Sequence, residues 1–244
     1  MFPNDHLPWA LPTTPWVMAQ SWCDLLFAHW PVPRDALARL IPLSLDVDSF
    51  EGQCWISVVP FTMTDVHPRR LPNVPGISTF PELNVRTYVR HGSKPGVFFF
   101  SLDAASVTAV AGGRLWYQLP YFLARMSTHR VDGWVTYHSE RIVRGPRPAV
   151  FEARFRPDGP VRRAAPGSLE HWLTERYCLY SAGRNGRLMR ADVHHAPWPL
   201  QPALLELRAN SMVEPSGLRL ADVEPLIQFA ERLDVVVWQP RPVD

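Results

Sequence analysis

Lysine is almost missing: Lys94 is the only one in 244 residues, so arginine supplies the other 24 of the 25 basic side chains. Codon usage in the source genome is a sufficient explanation for the scarcity. Its chemical consequence holds either way, because imine formation with a carbonyl substrate needs an amine and here has one to draw on. Cysteine is scarce too. Cys23, Cys54 and Cys178 are far apart, odd in number and outside any Cys-x-x-Cys pattern, which argues against a disulfide framework or a zinc site and suits a reducing cytoplasm. Charge of one sign is lacking: the formal net charge is +2, too small a bias to attract nucleic acid or an acidic membrane. No apolar run approaches the ~20 residues of a membrane-spanning helix. The start, Met1 to His6, lacks the basic region of a signal peptide, and none is expected. Also absent are a glycine-rich dinucleotide fingerprint, a phosphate loop and a Gly-x-Ser-x-Gly elbow. His194 and His195 are neighbours, and on a strand they point to opposite faces, so they cannot chelate one ion together. No metal and no cofactor are expected.

What is present is proline, 26 residues, about twice the usual ~5%, clustered in Trp-Pro and Pro-x-Pro stretches that mark many short elements joined by stiff turns. The apolar fraction of 46% and charged fraction of 20% are those of an ordinary globular protein. Its length suits one soluble domain, folding alone or as a homo-oligomer. Residues 1–15 hold four prolines and read as an irregular arm, with a single domain over 16–244. A helix is predicted from Pro33 to Ile41, with Leu37, Leu40 and Ile41 on one stripe and Pro42 as its stop. Strands are predicted at Cys54–Val59, Glu82–Arg90, Val97–Phe100, Tyr121–Met126, Trp134–Val143, Ala149–Arg156, Tyr177–Tyr180, Leu188–His194, Ala203–Arg208 and Leu233–Trp238. Glu82–Arg90 alternates cleanly and reads as half-buried: Leu83, Val85, Thr87 and Val89 lie on one face and Glu82, Asn84, Arg86, Tyr88 and Arg90 on the other. Gly92 to Gly96 is turn chemistry, placing Lys94 at the tip of a hairpin. Short helices are expected over Ala104–Ala111, ended by Gly112 and Gly113, and after a Ser168 cap. Strands outnumber helices, giving a mainly β fold of α+β type with an antiparallel barrel or sandwich.

Several strings resemble the YqjF-like family, which is grouped with the acetoacetate-decarboxylase-like proteins. They are Phe80-Pro81-Glu82-Leu83-Asn84-Val85-Arg86-Thr87-Tyr88-Val89, Gly96 to Ala104, Leu119-Pro120-Tyr121-Phe122-Leu123-Ala124-Arg125-Met126, Glu175 to Tyr180, and His195-Ala196-Pro197-Trp198-Pro199-Leu200. The resemblance implies a mainly antiparallel, barrel-like fold with an internal cavity. In the decarboxylase a Gly-Arg-x-x-x-Gly-Phe-Pro-Lys-Lys-Leu string carries the Schiff-base lysine and a second cation that lowers its pKa. The similar string here runs from Gly113 to Leu123 and has Tyr121 and Phe122 in place of both lysines. A phenol cannot condense with a ketone, so the resemblance implies that the imine route is lost. Lys94, at an exposed turn, would keep an ordinary pKa near ~10.4 and is a poor substitute.

The resemblance also turns Glu82 and Tyr121 toward the cavity. They are the candidate catalytic pair, with Asn84, Arg86 and Arg125 as substrate-binding residues and the arginines able to clamp a carboxylate. The competing reading is a solvated polar face with a Glu82–Arg86 ion pair. Arg176 can simply complement a helix C-terminus, and His195 with Trp198 can simply plug one barrel end. Two functions remain open: an enzyme acting on a small organic acid or carbonyl compound by acid/base chemistry, and a non-catalytic binder of a small metabolite.

Overall fold

Gly92 and Ser93 alone turn the central hairpin, with Gly92 at φ +58°, and His91 already pairs with Lys94 across it. Lys94 therefore opens a strand instead of standing at a loop tip, a correction to the sequence reading. In the computed structural model, residues 4–74, 78–142, 149–183 and 186–243 are described. Their strands are β1 Met18–Val32, β2 Asp46–Val47, β3 Cys54–Pro68, β4 Phe80–His91, β5 Lys94–Ala104, β6 Tyr121–Val131, β7 Trp134–Arg141, β8 Val150–Pro157, β9 Cys178–Ala182, β10 Leu188–His195, β11 Ala203–Asn210, β12 Leu226–Val237 and β13 Arg241–Pro242. The helices are α1 Arg34–Ala38, α2 Val107–Gly112 and α3 Leu169–Thr174. Val143, the last residue of one predicted strand, lies outside the described residues.

The strands form a mainly antiparallel, barrel-like ring, running β4, β5, β9, β10, β12, β1, β3 and back to β4. The fork is in β5. Val97 and Phe98 pair in parallel with β9, while Leu102 to Ala104 pair in parallel with β6. From there β6, β7, β8 and β11 continue as a second sheet. A parallel neighbour needs a crossover, and between β5 and β6 that crossover is α2 followed by a π-helical turn, Gly113–Tyr117.

The fork accounts for β4. Leu83, Val85 and Val89 pack with Tyr137, Phe151 and Phe155 between the ring and the second sheet. Tyr88 packs among the inward residues, with Phe27, Phe99 and Trp198, and Glu82, Asn84 and Arg86 line the enclosed space. The alternation is as expected, but the strand is buried on both faces, because its apolar face meets a second sheet and its polar face the ring interior. Strand β1 escapes sequence analysis for the same reason. Leu25 and Phe27 face inward while Leu26, Ala28 and Trp30 face the second sheet, so both faces are apolar and no period of two survives.

At the closed end of the ring, α3 is capped by Ser168, whose hydroxyl accepts from the His171 N–H at 3.2 Å, as expected for a serine at this position. Helix α2 departs from expectation. Gly112 and Gly113 both keep right-handed helical backbone, and the chain leaves the helix only at Gln118, with φ 54°.

Candidate active site in the ring cavity

The ring encloses a cavity of about 380 Å³. Its walls are mostly carbon, with Trp22, Phe61 and Phe99 prominent, and its polar groups come chiefly from β4 and the turn preceding β6. The side toward α2 is open enough that Thr108, Gly112 and Trp116 remain exposed. Trp116 is tied to the segment after β12 by its indole N–H, which donates to Gln239 Oε1 at 2.7 Å.

Glu82 and Tyr121 meet inside this cavity. The Tyr121 hydroxyl donates to Glu82 Oε2 at 2.9 Å, and both side chains are buried. Burial, with the nearby negative charge of Asp103, pushes the Glu82 carboxyl up to about 8 against the opposing effect of the Tyr121 hydrogen bond. Glu82 is thus mainly protonated at neutral pH, a carboxylic acid able to give up a proton near working conditions. Burial and then Glu82 itself drive the Tyr121 hydroxyl well above its ordinary value, so Tyr121 stays a neutral donor. The backbone beneath is fixed by Tyr137, whose hydroxyl donates to the Glu82 carbonyl at 2.7 Å. Asp103 is held on both oxygens by Arg141, at 2.6 to 3.0 Å.

Gly113 sets the position of the Tyr121 ring. A Cβ there would lie 2.2 Å from Tyr121 Cδ2, so only glycine lets the ring slide beneath the π-helical turn. Arg114 Nε donates to the Tyr121 carbonyl at 2.6 Å, so the Gly-Arg pair grips the start of β6 from above.

Arg86 is the unusual group. It is 7% exposed yet has no carboxylate within ion-pair distance among the described residues. Its guanidinium lies 5.2 Å from the Phe27 ring centroid and 5.9 Å from that of Tyr88. Its one hydrogen bond, Nη2 to the Leu173 carbonyl, is long at 3.5 Å, and Nε has no partner. Other cavity-lining side chains also carry unpartnered polar atoms: Asn84 Oδ1, the Tyr117 hydroxyl, and the indole nitrogens of Trp22 and Trp198. Buried polar atoms are rarely left so. The network behind Arg86 offers it no counter-charge. His29 bonds to Ser57 Oγ at 2.6 Å and to Gln228 Oε1 at 3.0 Å, and Ser57 bonds to the Tyr88 hydroxyl at 2.7 Å. Burial, aided by Arg86, lowers the imidazole to about 3 and keeps it neutral.

The model of the DUF2071 family, described as an uncharacterized conserved protein, matches residues 19–234. The chain belongs to the DUF2071 family. It is 43% identical over 232 residues to the uncharacterized protein YqjF of Bacillus subtilis, covering 95% of each chain. Among solved structures, an acetoacetate decarboxylase-like enzyme from Sphingomonas wittichii superposes with a TM-score of 0.63 at 14% identity, covering 98% of both chains. The enduracididine biosynthesis enzyme MppR complexed with pyruvate gives 0.63 at 14% identity, over 98% of this chain and 93% of that one. The acetoacetate decarboxylase of Legionella pneumophila gives 0.60 at 15%, over 99% and 94%. At such identities the likeness shows the acetoacetate-decarboxylase-like fold.

Within this DUF2071 chain the structure brings Glu82, Asn84, Arg86 and Tyr121 to one cavity and leaves Arg125 out. Arg125 is exposed and stands 4.0 Å from Glu140. It shares a strand face with Tyr121, but β6 leaves the ring after Leu123 to join the second sheet, so the face that is interior at Tyr121 is solvent at Arg125. Its expected clamping role is corrected accordingly, and no Glu82–Arg86 ion pair forms. Lys94 is also outside the cavity. Its ammonium sits 5.3 Å from the Trp9 ring centroid, and partial burial, then Arg190, lower its pKa. Arg176 pairs with Asp48 at 2.9 Å and stacks on Trp172. His195 stacks on Tyr177 at 4.7 Å, with its carbonyl 2.9 Å from His6 Nε2 of the N-terminal arm. Trp22, Trp116 and Tyr117 were not singled out by sequence. Trp116 and Tyr117 lie within the Gly113 to Leu123 string, next to the Tyr121 substitution, and that adjacency was the available signal.

Proposed function

We propose that the ring cavity binds a small organic acid, holds its carboxylate on Arg86, and uses Glu82 with Tyr121 to exchange a proton with a carbonyl or hydroxyl oxygen of the ligand, without an imine. The observation that carries this reading is Arg86, a cation buried in the cavity wall without a carboxylate partner among the described residues. An unpaired buried charge is strongly unfavourable, and a ligand carboxylate accepting two guanidinium hydrogen bonds would offset it. Glu82 supports the second half, since a carboxyl that titrates at about 8 can serve as a general acid at neutral pH. The fold neighbour MppR, complexed with pyruvate, supports a small oxo acid as a ligand for this architecture.

The test is a thermal-shift screen of oxo and hydroxy acids on wild type, Arg86→Gln, Glu82→Gln and Tyr121→Phe, with NMR following deuterium uptake at the carbon beside the carbonyl of the oxo acids. There, protonation of the oxygen by Glu82 promotes loss of a C–H proton to solvent and its replacement from deuterated water. Acids should stabilise wild type far more than Arg86→Gln. Glu82→Gln should still bind but lose exchange. Binding without exchange in wild type would reduce the protein to a non-catalytic binder, and equal shifts in wild type and Arg86→Gln would remove Arg86 from the site.

A further inference from the structure

The two ionisable groups on the β4 face of the cavity are not adjacent. Glu82 and Arg86 are four residues apart on β4, which at ~3.3 Å per residue separates their backbones by about 13 Å, since the bulge opposite Val85 and Arg86 puts its extra residue, Phe100, on β5 and leaves β4 regular against β3. Their side chains do not close the gap. The guanidinium turns to Phe27, Tyr88 and the Leu173 carbonyl on α3, and it is not among the charges that shift Glu82. Tyr121, bonded to Glu82, lies directly under Gly113 of the π-helical turn, the side on which Trp116 and Gly112 are exposed. Three levels therefore follow one another: a mouth at Trp116, the Glu82–Tyr121 pair beneath it, and the Arg86 guanidinium at the end toward α3.

The size of the space adds a second constraint. A volume of about 380 Å³ lies within the ~300–1,000 Å³ of small-molecule sites. A three- or four-carbon acid would leave most of it empty, and apart from Asn84, which shares the β4 face with Glu82 and Arg86, the walls between the two polar levels are mainly aromatic and aliphatic. Leu25, Val59, Phe61 and Phe99 offer no hydrogen bond to water that would fill the remainder.

We infer that the ligand is a monocarboxylic acid with an extended apolar body, bound head-in, whose carboxylate rests on Arg86 at the end toward α3 and whose carbonyl or hydroxyl group, several bonds along the body, meets Glu82 and Tyr121. This rests on the anion-binding role given to Arg86 above and goes beyond it in size class, orientation and the position of the reacting oxygen. Proton exchange then occurs at mid-chain. Chemistry next to the carboxylate, which decarboxylation of a short oxo acid requires, would fall one level too deep.

Tryptophan fluorescence, reported by Trp22 and Trp198 in the cavity wall, tests this with the intact protein. The probes are straight-chain acids from acetate to dodecanoate, the primary alcohols of matching length, and acids of one length carrying an oxo group beside the carboxylate or at mid-chain. Affinity for acids should rise about fourfold per added methylene, then level off once the cavity is full. Leu179→Phe should bring that limit to shorter chains. Mid-chain oxo acids should bind more tightly than those oxidised beside the carboxylate. Arg86→Gln should bind acids and alcohols equally while keeping the length dependence, which also shows that it is folded.

Acid binding that is lost in Arg86→Gln but does not vary with length would overturn the size class and leave the anion site standing. A preference for the oxo group beside the carboxylate would overturn the head-in arrangement. An acid-to-alcohol preference unchanged in Arg86→Gln, or no binding at any length, would overturn the anion site and this inference with it.

Discussion

Tyr121 donates its hydroxyl proton to Glu82 at 2.9 Å in a space that holds no cation close enough to ionise the carboxyl, and this one bond links stability to pH. The carboxyl, ordinarily at 4.5, is raised to about 8 in the folded chain, so between those values the folded state binds more protons than the unfolded one and stability falls as pH rises. Glu82→Gln should therefore match wild type near pH 4 to 5 and exceed it above pH 8, by an amount on the order of a few kcal/mol. His29 acts in the opposite direction. Lowered from 6.5 to about 3, it removes stability as pH falls through that window in both proteins, so the difference between them isolates Glu82. Urea denaturation across pH 4–9 checks this, and parallel curves would mean that Glu82 is ionised in the folded chain.

Much of this arrangement is legible in the sequence, and the failures are as physical as the successes. The alternation of β4 announces a strand whose polar side chains share a face, and the loss of two lysines at Tyr121 and Phe122 announces altered chemistry. Alternation alone cannot say whether a polar face meets water or a cavity, so from sequence Glu82 and Arg86 fit a solvated face as well as a site. The position of Arg125 is not legible because a strand face is local whereas ring membership is not: β6 changes sheets between residues 123 and 124, with no breaker residue to mark it. Gly112 and Gly113 looked like a helix stop. Their role depends on the Tyr121 ring, which arrives from farther along the chain.

Those two glycines make a paired test. Gly113→Ala places a Cβ 2.2 Å from Tyr121 Cδ2 in helical backbone that alanine otherwise accepts, so the ring must move and its bond to Glu82 lengthens or breaks. The expected loss is about 1–3 kcal/mol. Gly112→Ala meets nothing within 4 Å and should gain roughly 0.5–1 kcal/mol from lower backbone entropy in the unfolded chain. Thermal unfolding of both variants decides it, and similar effects of the same sign would show that Tyr121 is not held by Gly113.

Imine chemistry should be absent. Lys94, half-buried against Trp9, lies outside the cavity lining, and although its pKa is lowered, no ligand carbonyl seated beside Tyr121 can reach it. Borohydride reduction with acetoacetate or pyruvate should give no mass adduct on Lys94. A stoichiometric adduct would restore the covalent route.

The buried pair between Arg141 and Asp103 is a stability element and should respond as one. Its hydrogen bonds of 2.6 to 3.0 Å and the Phe122 ring 4.1 Å from the guanidinium fix the point where β5 hands over from the ring to the second sheet. Asp103→Ala leaves Arg141 charged and buried, and should cost about 3–5 kcal/mol. Replacing both partners with apolar residues should recover most of that, as measured by a double-mutant cycle in urea.

Arg86 should behave in the opposite way. Arg86→Met removes an unpaired buried charge whose desolvation is worth several kcal/mol. It loses only a long hydrogen bond to Leu173 and contacts with the Phe27 and Tyr88 rings, the latter worth about 0.5–2 kcal/mol. The first effect is larger, so the ligand-free variant should be more stable than wild type by on the order of 1–2 kcal/mol, a gain typical of removing a group kept for function. The same variant should lose the part of the stabilisation that the carboxylate confers on wild type and keep only the part due to the apolar body, so that at saturating ligand the order of stability reverses. Urea midpoints with and without octanoate measure both halves. A ligand-free loss of 3–5 kcal/mol, the signature of a broken buried pair, would instead make Arg86 a structural tie to α3 and leave the cavity without its anion partner.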